Sequence, residues 1–456
     1  MAGELVLGID LGTTALKAGL FDLAGTQVAL AQFEYPIQRP WPDQAEQDPA
    51  AWLAAFDRAL STFGGDVAAI GICSQANTHV FVDAEGAPLR PAILWQDQRC
   101  GGSSLVARAE WVLREEPDVW QATRWVLSPK DFVTSRLCAL AEPVTDALMS
   151  FDLVDASGAY DAELVASVEG LAERLPRIER FDVAIGEYAN AAVVNGTMDA
   201  WGNVYGSSVV EHGDAMDVAG TSEILGLLSR NAFPVQGVVT FVPVDGLHLH
   251  AGPTQAGGAA LAWFASVAGR SIPDVLAAAA SGSFGPIFLP HLLGERAPLW
   301  DADARGAFIG LSSDHSLPEL SRAVLEGVAY SARHLLEELE HAAGVEAETL
   351  NASGGGSQSD LWCQIKADVL ARPIARVAVR HSGCLGAALM AATGAGLVPS
   401  VREAARDAVR IERVFEPRDD RAPYDELYAA YRELYRALQP THAILAGLRR
   451  QAVPTS

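Results

Sequence analysis

Lysine is nearly absent from this chain. Lys17, Lys130 and Lys366 are the whole set among 33 lysines and arginines, against 57 acidic residues, for a formal net charge of −24 over 456 residues. So acidic a surface disfavours nonspecific binding to nucleic acid or to an anionic membrane. Any phosphate site must then be built locally, from backbone N–H groups, a metal ion or a few chosen cations. Cysteine is scarce as well. Cys73, Cys100, Cys138, Cys363 and Cys384 are odd in number and form no C-x-x-C pair, which argues against a disulfide framework and for a reduced, cytoplasmic setting. No basic stretch followed by an apolar run opens the chain, so no signal peptide is expected. The longest weakly polar stretch, 256–268, is rich in Gly and Ala and too short to span a bilayer. Also missing are G-x-x-x-x-G-K-[ST] and H-R-D, which argues against a P-loop enzyme or a protein kinase.

What is present fits an α/β enzyme of about two domains, since the length exceeds that at which single cores stop growing. Apolar alternation predicts strands over 5–10, 16–21 and 27–33, antiparallel and joined by Gly turns. Asp48-Pro49 opens a helix to about Thr62, as N-cap and first helical residue. Buried strands follow over 67–72 and 80–82. This order is not that of a Rossmann fold and predicts a sheet mixing antiparallel and parallel pairs. A related unit returns at 215–228: a strand with Asp217, the turn Gly220-Thr221-Ser222, then a second strand. It mirrors Asp10, Gly12-Thr13-Thr14 and the strand after them, and suggests two domains of similar design facing one cleft. The boundary is expected near residue 205, giving domains 1–205 and 206–456. Further helices are predicted from a Ser316/Glu319 capping box to Gly344, over 359–371, over 383–393 and over 422–438, with a frayed tail at 451–456.

Four segments carry candidate chemistry. The hairpin tip Gly12-Thr13-Thr14 offers N–H and hydroxyl donors that suit phosphate oxygens. Lys17 lies just beyond it, and Asp10 stands at the strand end where a Mg²⁺ water could sit; an ordinary hairpin is the alternative. Ser353 to Ser357, with Gly354, Gly355 and Gly356, precedes a helix and lets backbone approach a flat or charged ligand; the alternative is a flexible loop. Asp199 ends the stretch after a strand at 191–194 and is either an exposed base or a helix N-cap. Trp95-Gln96-Asp97-Gln98-Arg99 suits sugar hydroxyls by hydrogen bonding and stacking, or holds a surface Asp97–Arg99 salt bridge. His248 and His250 could share a strand face, but no third ligand lies nearby for a metal.

Taken in order, these segments resemble the FGGY carbohydrate kinases, the family that includes glycerol kinase and xylulokinase. The resemblance runs from Leu5 to about Gly396. It takes in Gly8-Ile9-Asp10-Leu11-Gly12-Thr13-Thr14, Glu46 to Pro49, Leu89 to Arg99, Ser128 to Phe132, and the stretch from Gly294-Glu295-Arg296-Ala297-Pro298 to Glu326-Gly327. It implies an actin-like ATPase fold, with two ribonuclease-H-like domains around a central cleft. It also implies ATP-dependent phosphorylation of a small sugar, with a ketopentose such as xylulose first. Other ketoses or polyols, a non-kinase ATPase of the same fold, and a sugar sensor remain open. By resemblance Asp199 is the catalytic base and Asp10 the Mg²⁺-linked acid. Thr13, Thr14, Lys17, Gly220, Thr221, Gly258, Gly355, Gly356 and Ser359 match ATP contacts. Gln75, Ala76, Asn77 and Asp97 match the sugar site. Two departures fall beside the sugar. Xylulokinases usually carry Met-His where this chain has Ala76-Asn77, and the segment after Arg99 is short. The implied partners are a small sugar and no macromolecule of nucleic acid or membrane kind; a homodimer is left open.

Overall fold

Leu5–Leu11, Ala15–Asp22 and Gln27–Glu34 form three antiparallel strands in chain order. The computed structural model describes residues 4–63 and 67–452. Ala69–Ser74 lies parallel beside the first strand, Ala191–Val194 lies parallel beside that, and Ala184–Tyr188 closes the edge antiparallel. Thr197–Met198 pairs with the far end of Ala69–Ser74. One face buries Leu7, Ile9, Ile70 and Ile72 against Trp52 and Phe56 of the helix Pro49–Phe63. That helix starts where expected, with Asp48 Oδ1 accepting from Ala50 N at 2.9 Å.

The helix Ser382–Gly394 packs against this same sheet. It comes so close that a Cβ on Gly8 would lie 1.8 Å from the Cys384 carbonyl oxygen, and one on Gly71 2.0 Å from that of Ala387. Only glycine admits such an approach. The chain therefore divides differently from a single cut near residue 205. One unit is the chain through Val210 together with His381–Val409, and the other is Glu211–Arg380 together with the chain from Arg410 onward.

The second unit repeats the first sheet strand for strand. Ala215–Ala219, Glu223–Ser229 and His248–Thr254 are antiparallel neighbours. Leu350–Gly354 and Ile374–Val377 follow in parallel, and Ile411–Phe415 closes the edge antiparallel. The short strand Val239–Thr240 extends the opposite edge. The long helix Leu317–Ala343 begins at the Ser316/Glu319 capping box and ends at Gly344, whose φ is 62°. It contributes Val324, Val328, Leu335 and Leu339 to the core of this unit.

The last helix runs farther than its amphipathic stretch suggests, over Ala422–Ala452 with Pro440 inside it. Tyr431, Tyr435, His442 and Ala446 carry the buried stripe across the proline, so packing outweighs the one lost backbone donor. Of the expected tail, residues 453–456 lie outside the described residues, as do residues 1–3 of the chain start. No helix among the described residues is long and apolar enough to cross a membrane. All five cysteines are unpaired.

Candidate active site

In each unit the candidate residues gather at the carboxyl ends of neighbouring parallel strands, where ligands of open α/β sheets bind. In the first unit these ends carry Asp10 to Thr14, Gln75 to Asn77 and Asp199. The hairpin tip is held by its oxygens. The Gly12 carbonyl accepts from Tyr35 OH at 2.6 Å, that of Thr13 from Gln47 Nε2 at 2.7 Å, and that of Thr14 from Tyr35 N at 3.1 Å. Gly12 N donates to the Ala15 carbonyl at 3.1 Å, so with the oxygens turned inward the donors left to a phosphate are those of Thr13 and Thr14. Asp10 and Lys17 are direct partners across the hairpin, and their side chains pair at 3.4 Å. The Asp10 carboxylate holds the Lys17 ammonium above its usual range, and the charge of Asp199 adds to that effect. Asp10, Lys17 and Asp199 thus form one electrostatic group.

Asp199 is the first residue of the helix Asp199–Gly206, not its N-cap; Met198 holds that position. Its Oδ1 accepts from Ala200 N at 2.8 Å. The turn before it is anchored from below. Lys130, fully buried, reaches Asp131 Oδ1 at 2.6 Å, Asn195 Oδ1 at 3.2 Å and Asp146 Oδ2 at 3.1 Å. Thr197 Oγ1 donates to Asp146 Oδ1 at 2.7 Å. Between Asn195 and Thr197, Gly196 has φ 72°, and a Cβ there would lie 1.9 Å from the Ile72 oxygen. The stretch from Ser128 to Phe132 enters the family resemblance, but nothing in the local sequence names Asn195 and Asp146 as the partners of Lys130.

The expected sugar wall is mixed in character. Gln75 is buried and receives its place from a bond of its N–H to the Leu11 carbonyl at 3.0 Å. Ala76 and Asn77 are half-buried. Asn77 sits at φ 51°, a left-handed conformation that asparagine tolerates, and donates through Nδ2 to Ser103 Oγ at 3.2 Å. The short segment after Arg99 therefore closes onto Asn77. Asp97, expected at the sugar site, is buried and paired. Its side chain is 0% exposed and its oxygens accept from Ala45 N at 2.7 Å and from Arg99 Nη2 at 2.7 Å, with Arg108 at 3.5 Å. Its pairing with Arg99 is the salt bridge read from the sequence, but buried. Arg99 continues to Glu46 at 2.8 Å, and Arg90 joins Glu46 at 2.6 Å.

In the second unit the Gly220-Thr221 turn is held in the same way as the first. The Gly220 carbonyl accepts from Gly258 N at 2.8 Å, that of Thr221 from Ala259 N at 2.9 Å, and that of Ser222 from Gly220 N at 2.8 Å. Ala219 and Gly354 are register partners, so Gly355 and Gly356 emerge beside this turn. Ser359 caps the helix Asp360–Leu370, its Oγ accepting from Trp362 N at 3.3 Å. Beneath the turn lies another buried lysine: Lys366 pairs with Asp217 at 2.5 Å and also with Glu223. Burial pushes the Glu223 carboxyl well up. Each of the three lysines is thus committed to carboxylates at a candidate turn. By contrast, the stretch 294–327 is architectural. Glu295 binds His291 Nδ1 at 2.8 Å and Gln255 N at 2.6 Å, and Arg322 binds Glu326 at 2.7 Å.

Among the described residues no group of three or more His, Cys, Asp or Glu could hold a metal ion. A lone, half-buried carboxylate such as Asp10 suits Mg²⁺, which keeps several waters and shares phosphate oxygens.

Residues 5–105 match the N-terminal domain, and residues 215–395 the C-terminal domain, of the FGGY family of carbohydrate kinases. Xylulose kinase of Escherichia coli K12 is 30% identical, over 96% of this chain and all (100%) of that one. Glycerol kinase of Deinococcus radiodurans is 28% identical, over 91% of this chain and 93% of that one. The crystal structure of ligand-bound xylulose kinase from Lactobacillus acidophilus superposes with a TM-score of 0.89 at 24% identity, covering 97% of this chain and 100% of that chain. At that identity the likeness is one of fold.

Proposed function

The chain belongs to the FGGY family of carbohydrate kinases, and from that premise we propose that it moves the γ-phosphoryl group of ATP to a primary hydroxyl of a ketopentose such as xylulose. Its activity is ATP-dependent phosphorylation of a sugar, on the actin-like ATPase fold. The observation that carries the catalytic reading is the placement of Asp10, Lys17 and Asp199 at one end of neighbouring strands of a single sheet, beside a Gly-Thr turn whose carbonyls are all tied back into the protein.

Phosphoryl transfer needs in-line positioning and charge neutralisation more than covalent chemistry. In this reading Asp199 accepts the proton of the attacking hydroxyl. Thr13, Thr14 and Lys17 in the first unit, and Thr221 in the second, donate to phosphate oxygens, while Gly220, its N–H held by the Ser222 carbonyl, lets the phosphate approach the turn closely. Gly258, Gly355, Gly356 and Ser359 receive the nucleoside end, which a chain without side-chain bulk lets approach closely. Asp10 would hold Mg²⁺ through water, and the ion when bound neutralises phosphate charge. Gln75, Ala76 and Asn77 face the sugar, while Asp97 holds Arg99 and the wall behind them. The sugar and first phosphate turn thus belong to the N-terminal part and the nucleotide to the C-terminal part. A reduced, cytoplasmic setting is part of the same proposal, in keeping with five unpaired cysteines. None of these roles requires a homodimer.

Glycerol kinase among the relatives favours testing polyols alongside ketoses. The test is kcat/KM with ATP against a panel of pentuloses, hexuloses, tetritols and glycerol. A ketopentose should rank first; a polyol ranking first would replace the substrate, and no turnover with any member would remove the reading.

A further inference from the structure

We propose that Trp95 is a positioning residue that couples the sugar wall to the phosphate turn through Thr13, so that occupancy of the wall is felt where the phosphate is held. The inference rests on the reading of Gly12-Thr13-Thr14 as a phosphate turn. Trp95 Nε1 donates to Thr13 Oγ1 at 2.9 Å, across 82 positions of sequence. An indole N–H can only donate, so the Thr13 oxygen is the acceptor and its own proton is directed elsewhere. One lone pair is committed to the wall, and the remaining O–H is aimed.

A second tryptophan fixes the rest of the chain of bonds. Trp52 Nε1 donates to Gln47 at 3.1 Å, so the Gln47 oxygen must lie there. Its amide nitrogen then faces the Thr13 carbonyl, at 2.7 Å. The Gln47 oxygen also faces Gln75 Nε2, at 3.4 Å, which turns Gln75 Oε1 the other way. That oxygen is buried and has no hydrogen-bond partner among the described residues. A buried acceptor left unpaired is costly, and a hydroxyl donor of a bound sugar satisfies it. Thr13 is therefore gripped twice, at its carbonyl by a path leading to Gln75 and at its hydroxyl by Trp95. Both grips start on the wall assigned to sugar. With the sugar absent, the path ends at an unsatisfied oxygen; with the sugar bound, it is complete. Such wiring favours transfer to sugar over transfer to water.

The experiment is a double-mutant cycle on Trp95→Phe and Thr13→Val, reading kcat for sugar phosphate, KM for sugar, and the ratio of ADP released to sugar phosphate formed. Trp95→Phe should lower kcat roughly tenfold, the worth of about one positioned hydrogen bond, and raise the ADP ratio. Thr13→Val should do the same, Thr13→Ser should restore coupling, and adding Trp95→Phe to Thr13→Val should leave kcat and the ratio where they were. Additive effects, or a change in sugar KM with the ratio intact, overturn the coupling while leaving the phosphate turn in place. A Thr13→Val enzyme with wild-type kcat and ratio overturns both. If Trp95→Phe fails to fold, benzothienylalanine at position 95 keeps the bicyclic shape, lacks the N–H, and is held to the same outcomes.

Discussion

Lys130 Nζ lies 3.2 Å from Asn195 Oδ1, joining the helix Pro129–Leu137 to the turn that ends in Asp199. The same ammonium answers Asp131 and Asp146, so one cation satisfies three acceptors with no access to water. Removing one partner of a buried pair costs about 3–5 kcal/mol, because the charge left behind has no compensation.

Lys130→Met should therefore destabilise the protein by about that amount and lower kcat more than it changes KM for ATP. The loss should depend on pH. Burial already pushes the Asp146 carboxyl up, and Lys130 is the main group opposing that. Without the lysine, the folded state holds a proton on Asp146 that the unfolded state has released. Stability of the variant is then fully present below the ordinary carboxylate range and lost as pH rises. Urea unfolding of both proteins at pH 5 and pH 8 should show the larger deficit at pH 8. An equal deficit at both would mean that the cluster is not electrostatic.

Asp199→Ala should reduce phosphorylation by about 10²–10⁴-fold, the usual contribution of a general base. ATP binding should persist, since the proposed role of the carboxylate is at the sugar hydroxyl. The check pairs steady-state kinetics with nucleotide titration. Near-wild-type turnover, with the substitution verified by mass, would take Asp199 out of the reaction.

The Gly-Thr turns were readable from the sequence because strand alternation and glycine are local signals, and both turns do close the same strand pairs. The return of the helix Ser382–Gly394 to the first sheet was not readable. Its residues from Ser382 to Ala392 are buried all round, so no apolar stripe points to a partner, and its docking glycines lie more than 300 positions earlier. The buried lysines were hidden for the same reason: Lys366 meets Asp217 across 149 positions. Asp97 shows the converse case. Its pairing with Arg99 was visible two residues apart, but its depth was set by Ala45 and Arg108, which sequence spacing cannot reveal.

Glu326 lies in the stretch that most resembles the family, yet it serves the core. Burial pushes its carboxyl from 4.5 up to about 7 in spite of Arg322 at 2.7 Å. A raised folded value means that the stabilising contribution of this group is present below the unfolded value and lost as pH climbs through 7. Glu326→Gln does not titrate. Relative to wild type, the variant should gain stability between pH 5 and pH 8, by about 2 kcal/mol. Denaturant midpoints at the two pH values measure it, and a difference that stays constant would refute the assignment.

The last prediction concerns sugar choice. Where xylulokinases usually carry Met-His, this chain presents Ala76-Asn77, with less bulk and an amide in place of an imidazole. Asn77 is held at φ 51° and one of its two Nδ2 hydrogens goes to Ser103 Oγ at 3.2 Å, so its Oδ1, and the other Nδ2 hydrogen, remain to meet a substrate hydroxyl. Histidine tolerates that backbone conformation better than most residues, so Asn77→His should fold. It would move the acceptor outward and release Ser103. We expect the ranking of sugars by kcat/KM to change more than KM for ATP, because a site built around one hydroxyl discriminates strongly against sugars that place it elsewhere, by about 10⁴-fold at the extreme. Ser103→Ala is the control that separates two roles for Asn77. If it leaves the ranking intact while Asn77→His reorders it, the amide reads the sugar directly. If both variants lower every sugar by one common factor, Asn77 only pins the short segment after Arg99, and specificity must be written elsewhere in the wall.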